Sequence, residues 1–297
     1  RKWEPISLKV SEVLSPGTAP RQAEPTSRKS GYSNSSGIER FRLTGRSRAF
    51  DRRIHAVRRD IADIALADLI FAPHYARADQ RALNAPSAML LSAPDARSEA
   101  VSQLLHGERF AVLDIAGGWA WGYCGHDHYV GYLPASTLGE EIAPTHVVTA
   151  REAPLFFDAD IKSAVAGTLS LGARVGGTIE GDFIATPSGH LHVRHIAALD
   201  AAATDPVAVA EALAGAPYLW GGRGAGGIDC SGLVQLALGL TGIDCPRDSD
   251  QQRAALGTEL SADAPLRRGD LIGAEAELPP VDRIAVGQRV GGIRLGA

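Results

Sequence analysis

A single thiol stands where this chain changes character. Residues Tyr218-Leu-Trp-Gly-Gly-Arg-Gly-Ala-Gly-Gly-Ile-Asp229 read as a glycine-rich loop, and Ser231-Gly-Leu-Val-Gln-Leu-Ala-Leu-Gly-Leu240 reads as an apolar helix. Cys230 sits at the junction. A cysteine at a helix N-terminus meets the positive end of the backbone dipole and unpaired N–H groups, which stabilise a thiolate. A thiolate is a nucleophile, so this spacing offers attack on an electrophilic carbon. A lone cysteine is more often a small packing residue. Packing requires neither the glycines nor Asp229, and their presence favours a functional Cys230.

Further pieces stand around it in a fixed order. The apolar stretch Val207–Leu213 comes first, then Gly215-Ala-Pro-Tyr-Leu-Trp-Gly-Gly222 and Asp229-Cys-Ser-Gly-Leu-Val234. Pro246-Arg-Asp-Ser-Asp-Gln-Gln252 and Leu266-Arg-Arg-Gly-Asp-Leu271 follow. Over residues 205–272 this series resembles the NlpC/P60 family, papain-like cysteine hydrolases of the bacterial cell wall. The resemblance implies cleavage of peptidoglycan stem peptides beside γ-linked D-glutamate, with Cys230 as nucleophile and no cofactor. It is strongest to the subgroup with paired SH3-like modules ahead of the catalytic domain, whose members cut the γ-D-glutamyl-diamino acid bond of free muropeptides.

Residue roles follow from that resemblance. Tyr218 matches the position whose hydroxyl joins backbone N–H groups around the developing oxyanion. Asp229 and Ser231 flank the nucleophile and match residues that bind the substrate's backbone and amine. Arg247, Asp248 and Ser249 match substrate-contacting positions, although Asp248 or Ser249 could equally cap a helix over 250–256. In the subgroup the first SH3-like module roofs the site and offers an acidic residue and a tyrosine to a free amine. Glu108 and Tyr129 match them, against the plainer reading of a solvated carboxylate and a packing ring. A carboxylate that needs an ammonium partner would select trimmed peptides over N-acylated ones.

One departure is serious. The family pairs its cysteine with a histidine on a strand after the Arg-Gly-Asp-Leu turn. Here Leu271-Ile runs directly into Gly273-Ala-Glu-Ala-Glu-Leu-Pro-Pro280, and all nine histidines precede Cys230. The 27 residues from Leu271 to Ala297 are fewer than the family's remaining strands need. Val290–Leu295 resembles a closing strand, which points to internal loss of the His-bearing strands. Loss of a general base costs about 10²–10⁴-fold in rate. Two readings therefore stand, a cysteine peptidase and a catalytically dead module that binds muropeptide. A histidine of the first barrel acting on Cys230 is the remaining route to a base.

Composition sets wider bounds. The chain has 297 residues, 45% hydrophobic and 22% charged, with room for two or three domains. A net charge of -4 leaves no footprint for nucleic acid. No run of eighteen apolar residues predicts a membrane span. Cys124, Cys230 and Cys245 form no disulfide framework, and no signal-peptide pattern opens the chain. Both point to the cytoplasm, with export as the alternative if a segment precedes Arg1. Cys124-Gly-His126-Asp-His128 and His190-x-His192-x-x-His195 contain metal-ligand types, but no spacing joins the two groups, so no metal is expected.

The elements ahead of the site divide into four. Residues 1–50 carry ten Lys+Arg against four acidic residues and little apolar periodicity, which predicts a disordered basic tail. Ile54, Val57, Ile61, Ile64, Ala65 and Leu69 recur at helical spacing, which predicts an amphipathic arm over 51–84. Two SH3-like barrels are expected, over 85–140 and 141–200. Leu105-His-Gly-Glu-Arg-Phe-Ala-Val112 is echoed by Leu171-Gly-Ala-Arg-Val175 and Tyr129-Val-Gly-Tyr-Leu133 by His192-Val-Arg-His-Ile196, between turn-rich breaks. The expected architecture is α+β, with an incomplete papain-like NlpC/P60 domain over 205–297 behind two small barrels.

Overall fold

The computed structural model describes residues 50–141, 143–261 and 264–272, together with the backbone of Gly292–Arg294. The basic tail expected over residues 1–50 lies, apart from Phe50, outside the described residues. The stretch 273–291 lies outside them as well.

The first unit is a seven-stranded antiparallel sheet. Its order is Ala100–Leu105, Ser87–Leu91, Val130–Pro134, Trp119–Cys124, Arg109–Ala116, Asp79–Leu83 and Leu138–Glu140. Alternation along each strand sends one set of side chains inward. Leu83, Leu90, Leu104, Phe110, Ala120 and Leu133 come from six different strands and share one core, so the sheet curls around it. Register shifts at Leu90/Leu91 and at Val112/Asp114 supply local bends. The sheet takes in Asp79–Leu83, which places its start ahead of the expected residue 85.

The helical arm expected over 51–84 is not formed. Ile61–Asp63 is a strand parallel to His74–Ala76, and a single 3-10 turn covers Ile64–Leu66. The reason is local polar competition. Arg58 N–H donates to Ile61 O (2.8 Å), closing a tight turn, and Asp63 Oδ1 accepts from Ala65 N (2.9 Å). Such bonds offer the backbone an alternative to a helix ladder. Ile64 and Leu69 stay exposed, so no apolar face repays helix formation. Arg58 instead lies 4.5 Å over the Trp121 ring, fastening this segment to the sheet. Trp121 is thereby a packing residue, and Trp119 on the same strand is half-buried.

Beyond residue 143 comes a second all-β unit. Five strands run in the order Val165–Ser170, Glu152–Phe156, Gly189–His192, Phe183–Thr186 and Thr178–Glu180. A separate sheet joins Arg174–Val175, His146–Val148 and Ile196–Ala198. Both β units close on a strand, a 3-10 turn (Ala135–Thr137 or Val193–His195) and a final short strand.

Three α-helices follow among the described residues: α1 (Pro206–Ala212), α2 (Cys230–Leu240) and α3 (Ser249–Ala255). Asp205 caps α1 by accepting from Val207 N (2.9 Å), with Pro206 preset at the first position. Backbone pairing joins Gly292–Arg294 to Thr258–Leu260 on one side and Leu271–Ile272 on the other. One apolar core runs through Leu155, Leu169, Ile184 and Leu191 of the second β unit and Val209, Leu213 and Leu236 of the helices. Leu105 of the first unit reaches into the same core, so the three units are packed as one body.

Candidate active site

Helix α2 fixes the Cys230 thiol. Asp229 is its N-cap, with Oδ1 accepting from Gly232 N (2.7 Å), an arrangement worth about 1 kcal/mol. Its other oxygen accepts from Gly221 N (2.8 Å), which binds the glycine-rich loop to the same carboxylate. Two glycines make this possible. Gly221 has φ +77, and a Cβ on Gly232 would come within 2.3 Å of Gly222 O. Cys230 is the first residue of α2 and is exposed, whereas Cys124 and Cys245 are buried; all three thiols are free.

Arg247 holds the cap from behind. Its side chain is 1% exposed, and its Nη1 and Nη2 reach Asp229 Oδ1 and Oδ2 at 3.0 and 2.6 Å. Nη1 also donates to Ser231 Oγ (2.8 Å), and Nε to Ser102 Oγ (3.0 Å) on the first sheet. Every nitrogen is engaged within the protein. Arg247 borders the cavity but acts as a strut, and Ser231 is likewise buried and held in this network.

Cys230 opens into a cavity of about 320 Å³. Its walls include Tyr129 and Glu99 from the first unit and Asp248, Ser249 and Asp250 from the start of α3. The Tyr129 hydroxyl donates to Asp248 Oδ2 (2.9 Å). Burial and the Asp248 charge push that hydroxyl up, so it remains a donor. Tyr218 forms a backbone bridge with Ile228, two residues ahead of Cys230, and its side chain is two-thirds exposed. Its own partial burial, with the Cys230 and Asp229 charges, pushes its hydroxyl up as well.

The structure thus gathers Cys230, Asp229, Ser231, Arg247, Asp248, Ser249 and Tyr129 around one cavity, and Tyr218 lies outside its lining. Glu108 is the correction. It is buried away from the cavity, and Arg223 takes both its oxygens at 2.8 and 3.1 Å while Leu105 N donates to one of them (2.8 Å). Burial would raise this carboxyl, but Arg223 and the neighbouring His126 bring it down to about 2. Its place on the cavity wall is taken by Glu99, an exposed carboxylate just ahead of the strand Ala100–Leu105. Arg53 and Trp220 are further wall residues that sequence reasoning missed. Only Trp220, inside the glycine-rich loop, carried a signal. Among the described residues no histidine lines the cavity.

Residues 215–278 match the NlpC/P60 family, and residues 90–138 match the bacterial dipeptidyl-peptidase Sh3 domain. Over 76 residues the chain is 43% identical to probable endopeptidases of Mycobacterium tuberculosis and Mycobacterium bovis, a stretch covering 25% of this chain and 19% of those proteins. The chain therefore spans about a fifth of the length of the curated relatives it matches. A solved NlpC/P60 family protein from Bacillus cereus shares the fold, with a TM-score of 0.57 at 22% identity over 65% of this chain and 82% of that one. An NlpC/P60 domain and a bacterial SH3 domain are thus both present. No helix among the described residues is long and apolar enough to cross a membrane.

Proposed function

We propose that this chain acts on cell-wall peptides carrying a free amino terminus, with Cys230 attacking the γ-D-glutamyl-diamino acid bond. The observation that carries this reading is an exposed thiol at a helix N-terminus, opening into a cavity with four carboxylates and two guanidiniums on its wall. Glu99 is the carboxylate in that set with no ion-pair partner among the described residues, which suits a peptide ammonium. The all-β unit over 141–200 is read here as a second SH3-like barrel that shapes the fold behind the site. Demand for a free amine fits trimmed peptides being recycled in the cytoplasm.

In this mechanism the Cys230 sulfur adds to the γ-carbonyl carbon, and its oxygen takes negative charge beside Tyr218 and backbone N–H groups. The C–N bond then breaks as the leaving amine takes a proton, leaving a thioester. Water adds to the thioester, the C–S bond breaks, and the acid departs with the thiol restored. With no histidine on the wall, protons exchange with solvent, and turnover falls about 10²–10⁴-fold below that of a His-paired thiol.

A second reading is favoured by that same gap, since all nine histidines precede Cys230 and none lines the cavity among the described residues. In it the peptide is held and not cut. Incubation with L-Ala-γ-D-Glu-diaminopimelate, followed by mass spectrometry beside Cys230→Ala, separates the two. Cleavage by the parent alone establishes the peptidase. Binding without cleavage establishes the holding module, and cleavage that survives in Cys230→Ala removes the thiol mechanism.

A further inference from the structure

The segment leading into the first sheet sends one side chain to the cavity, from outside both family-matched regions. Arg53 comes from a turn begun at Asp51, and its carbonyl accepts from Val130 N (2.7 Å), next to Tyr129. Its guanidinium is ringed by carboxylates. Nε donates to Asp51 (3.0 Å), Nη1 to Asp248 Oδ2 and Asp250 Oδ1 (both 2.8 Å), and Nη2 to Asp51 Oδ2 and Asp250 Oδ2 (both 2.8 Å). With each nitrogen engaged, Arg53 has no donor left for a substrate carboxylate. Its role lies in what it holds.

Asp248 is the part held. It occupies the N-cap position of α3, where a carboxylate normally accepts a helix N–H, yet its side chain makes no such bond. Instead Oδ2 accepts from both Tyr129 (2.9 Å) and Arg53 (2.8 Å). Oδ1 makes no hydrogen bond among the described residues, and the side chain is 24% exposed on the cavity wall. A carboxylate turned from its helix, fixed by one oxygen and open at the other, is an acceptor awaiting a donor.

We propose that Arg53 is a positioning and specificity-determining residue, which fixes Asp248 so that Oδ1 receives the cationic end of a peptide. The inference rests on the peptide reading above. Its sign separates it from a simple charge effect. Glu99, Asp229, Asp248 and Asp250 against Arg53 and Arg247 leave the wall with a net negative charge. Coulomb attraction alone would make removal of Arg53 tighten a cationic ligand. Loss of positioning makes it weaker.

Titration calorimetry in a Cys230→Ala background, with L-Ala-γ-D-Glu-diaminopimelate as probe, tests this. Arg53→Gln should weaken binding by about tenfold, and Arg53→Lys should recover only part, since one ammonium cannot span three carboxylates. In an Asp248→Asn background Arg53→Gln should change nothing further, because the partner it positions is already altered. Thermal melts of each variant show that a folded protein is being compared. Unchanged or tighter binding by Arg53→Gln, or a loss that persists beside Asp248→Asn, overturns the inference and leaves the peptide reading standing. No binding by the Cys230→Ala parent overturns the peptide reading and Arg53's role together.

Discussion

The fate of neighbouring residues at the site turns on which way each side chain faces. Arg247 and Asp248 are adjacent, and both match substrate-contacting positions by resemblance. The arginine is buried and bridges Asp229, Ser231 and Ser102, while the aspartate faces the cavity and leaves its helix uncapped. Nothing in Pro-Arg-Asp-Ser separates these roles, because the partners of Arg247 lie outside it, Asp229 18 residues earlier and Ser102 145 residues earlier. The charge is costly to strand. Arg247→Met removes the only cation touching Asp229 among the described residues and leaves a buried carboxylate that also caps α2 and holds Gly221. Such losses run to about 3–5 kcal/mol, so the urea midpoint should fall sharply. Arg247→Lys should recover less than half, because an ammonium cannot reproduce the two-pronged contact. A midpoint unchanged in Arg247→Met would show that the strut contributes nothing to the fold.

Elements were legible where pattern and partner agree. The loop–cysteine–helix junction was readable because Asp229 caps locally, and the first β unit because its strands alternate around one core. The amphipathic arm failed because periodicity reports a face and not what covers it; Ile64 and Leu69 found no partner. Glu108 failed for the complementary reason, since its partner Arg223 arrives from the glycine-rich loop 115 residues later. That pair joins the first sheet to the strand Arg223–Gly224, and Asp127 beside it accepts from Gln235 on α2 (2.8 Å). The seam carries a pH signature. The folded Glu108 carboxyl sits at about 2 against an ordinary 4.5, and burial of Asp127 is likewise outweighed by His126 and Arg223, which hold it well below the usual carboxylate range. Depressed carboxylates stabilise the fold above their unfolded values and lose that contribution as pH falls. Glu108 alone is worth on the order of 3 kcal/mol at neutral pH, lost between about pH 4.5 and 2. Urea midpoints at pH 7 and pH 3 should therefore differ strongly in the parent and much less in Glu108→Gln, which is already destabilised at pH 7. Equal pH sensitivity in both proteins would remove Glu108 from the account.

Across the whole molecule the cavity depends on parts that are far apart in the chain. Its walls need Arg53 from the leading segment, Glu99 and Tyr129 from the first sheet, and Cys230 and Asp248 from the helices. None of these pieces makes a cavity alone, so the cavity requires the units to stay docked. The contacts that dock them are buried and continuous: a shared apolar core reaching Leu105, the Glu108–Arg223 pair and the Arg247–Ser102 bond. Units joined in this way should unfold as one. The chain carries its own reporters of that behaviour. Cys124 lies in the core of the first sheet and Cys245 packs with Leu238 and Leu256 behind α2. Burial pushes both thiols up, Cys245 to about 12, so each is shielded from alkylation while folded. Exposed Cys230 should be labelled in the native protein, and Cys124 and Cys245 together at a single urea concentration. Mass spectrometry after a short alkylation pulse reads each site separately. Glu108→Gln should lower both midpoints in step, because the seam it breaks supports both sides. Labelling of Cys124 well before Cys245, or the reverse, would mean that the sheet and the helices fold independently. The cavity would then be an encounter between units, and it would be lost long before either unit unfolds.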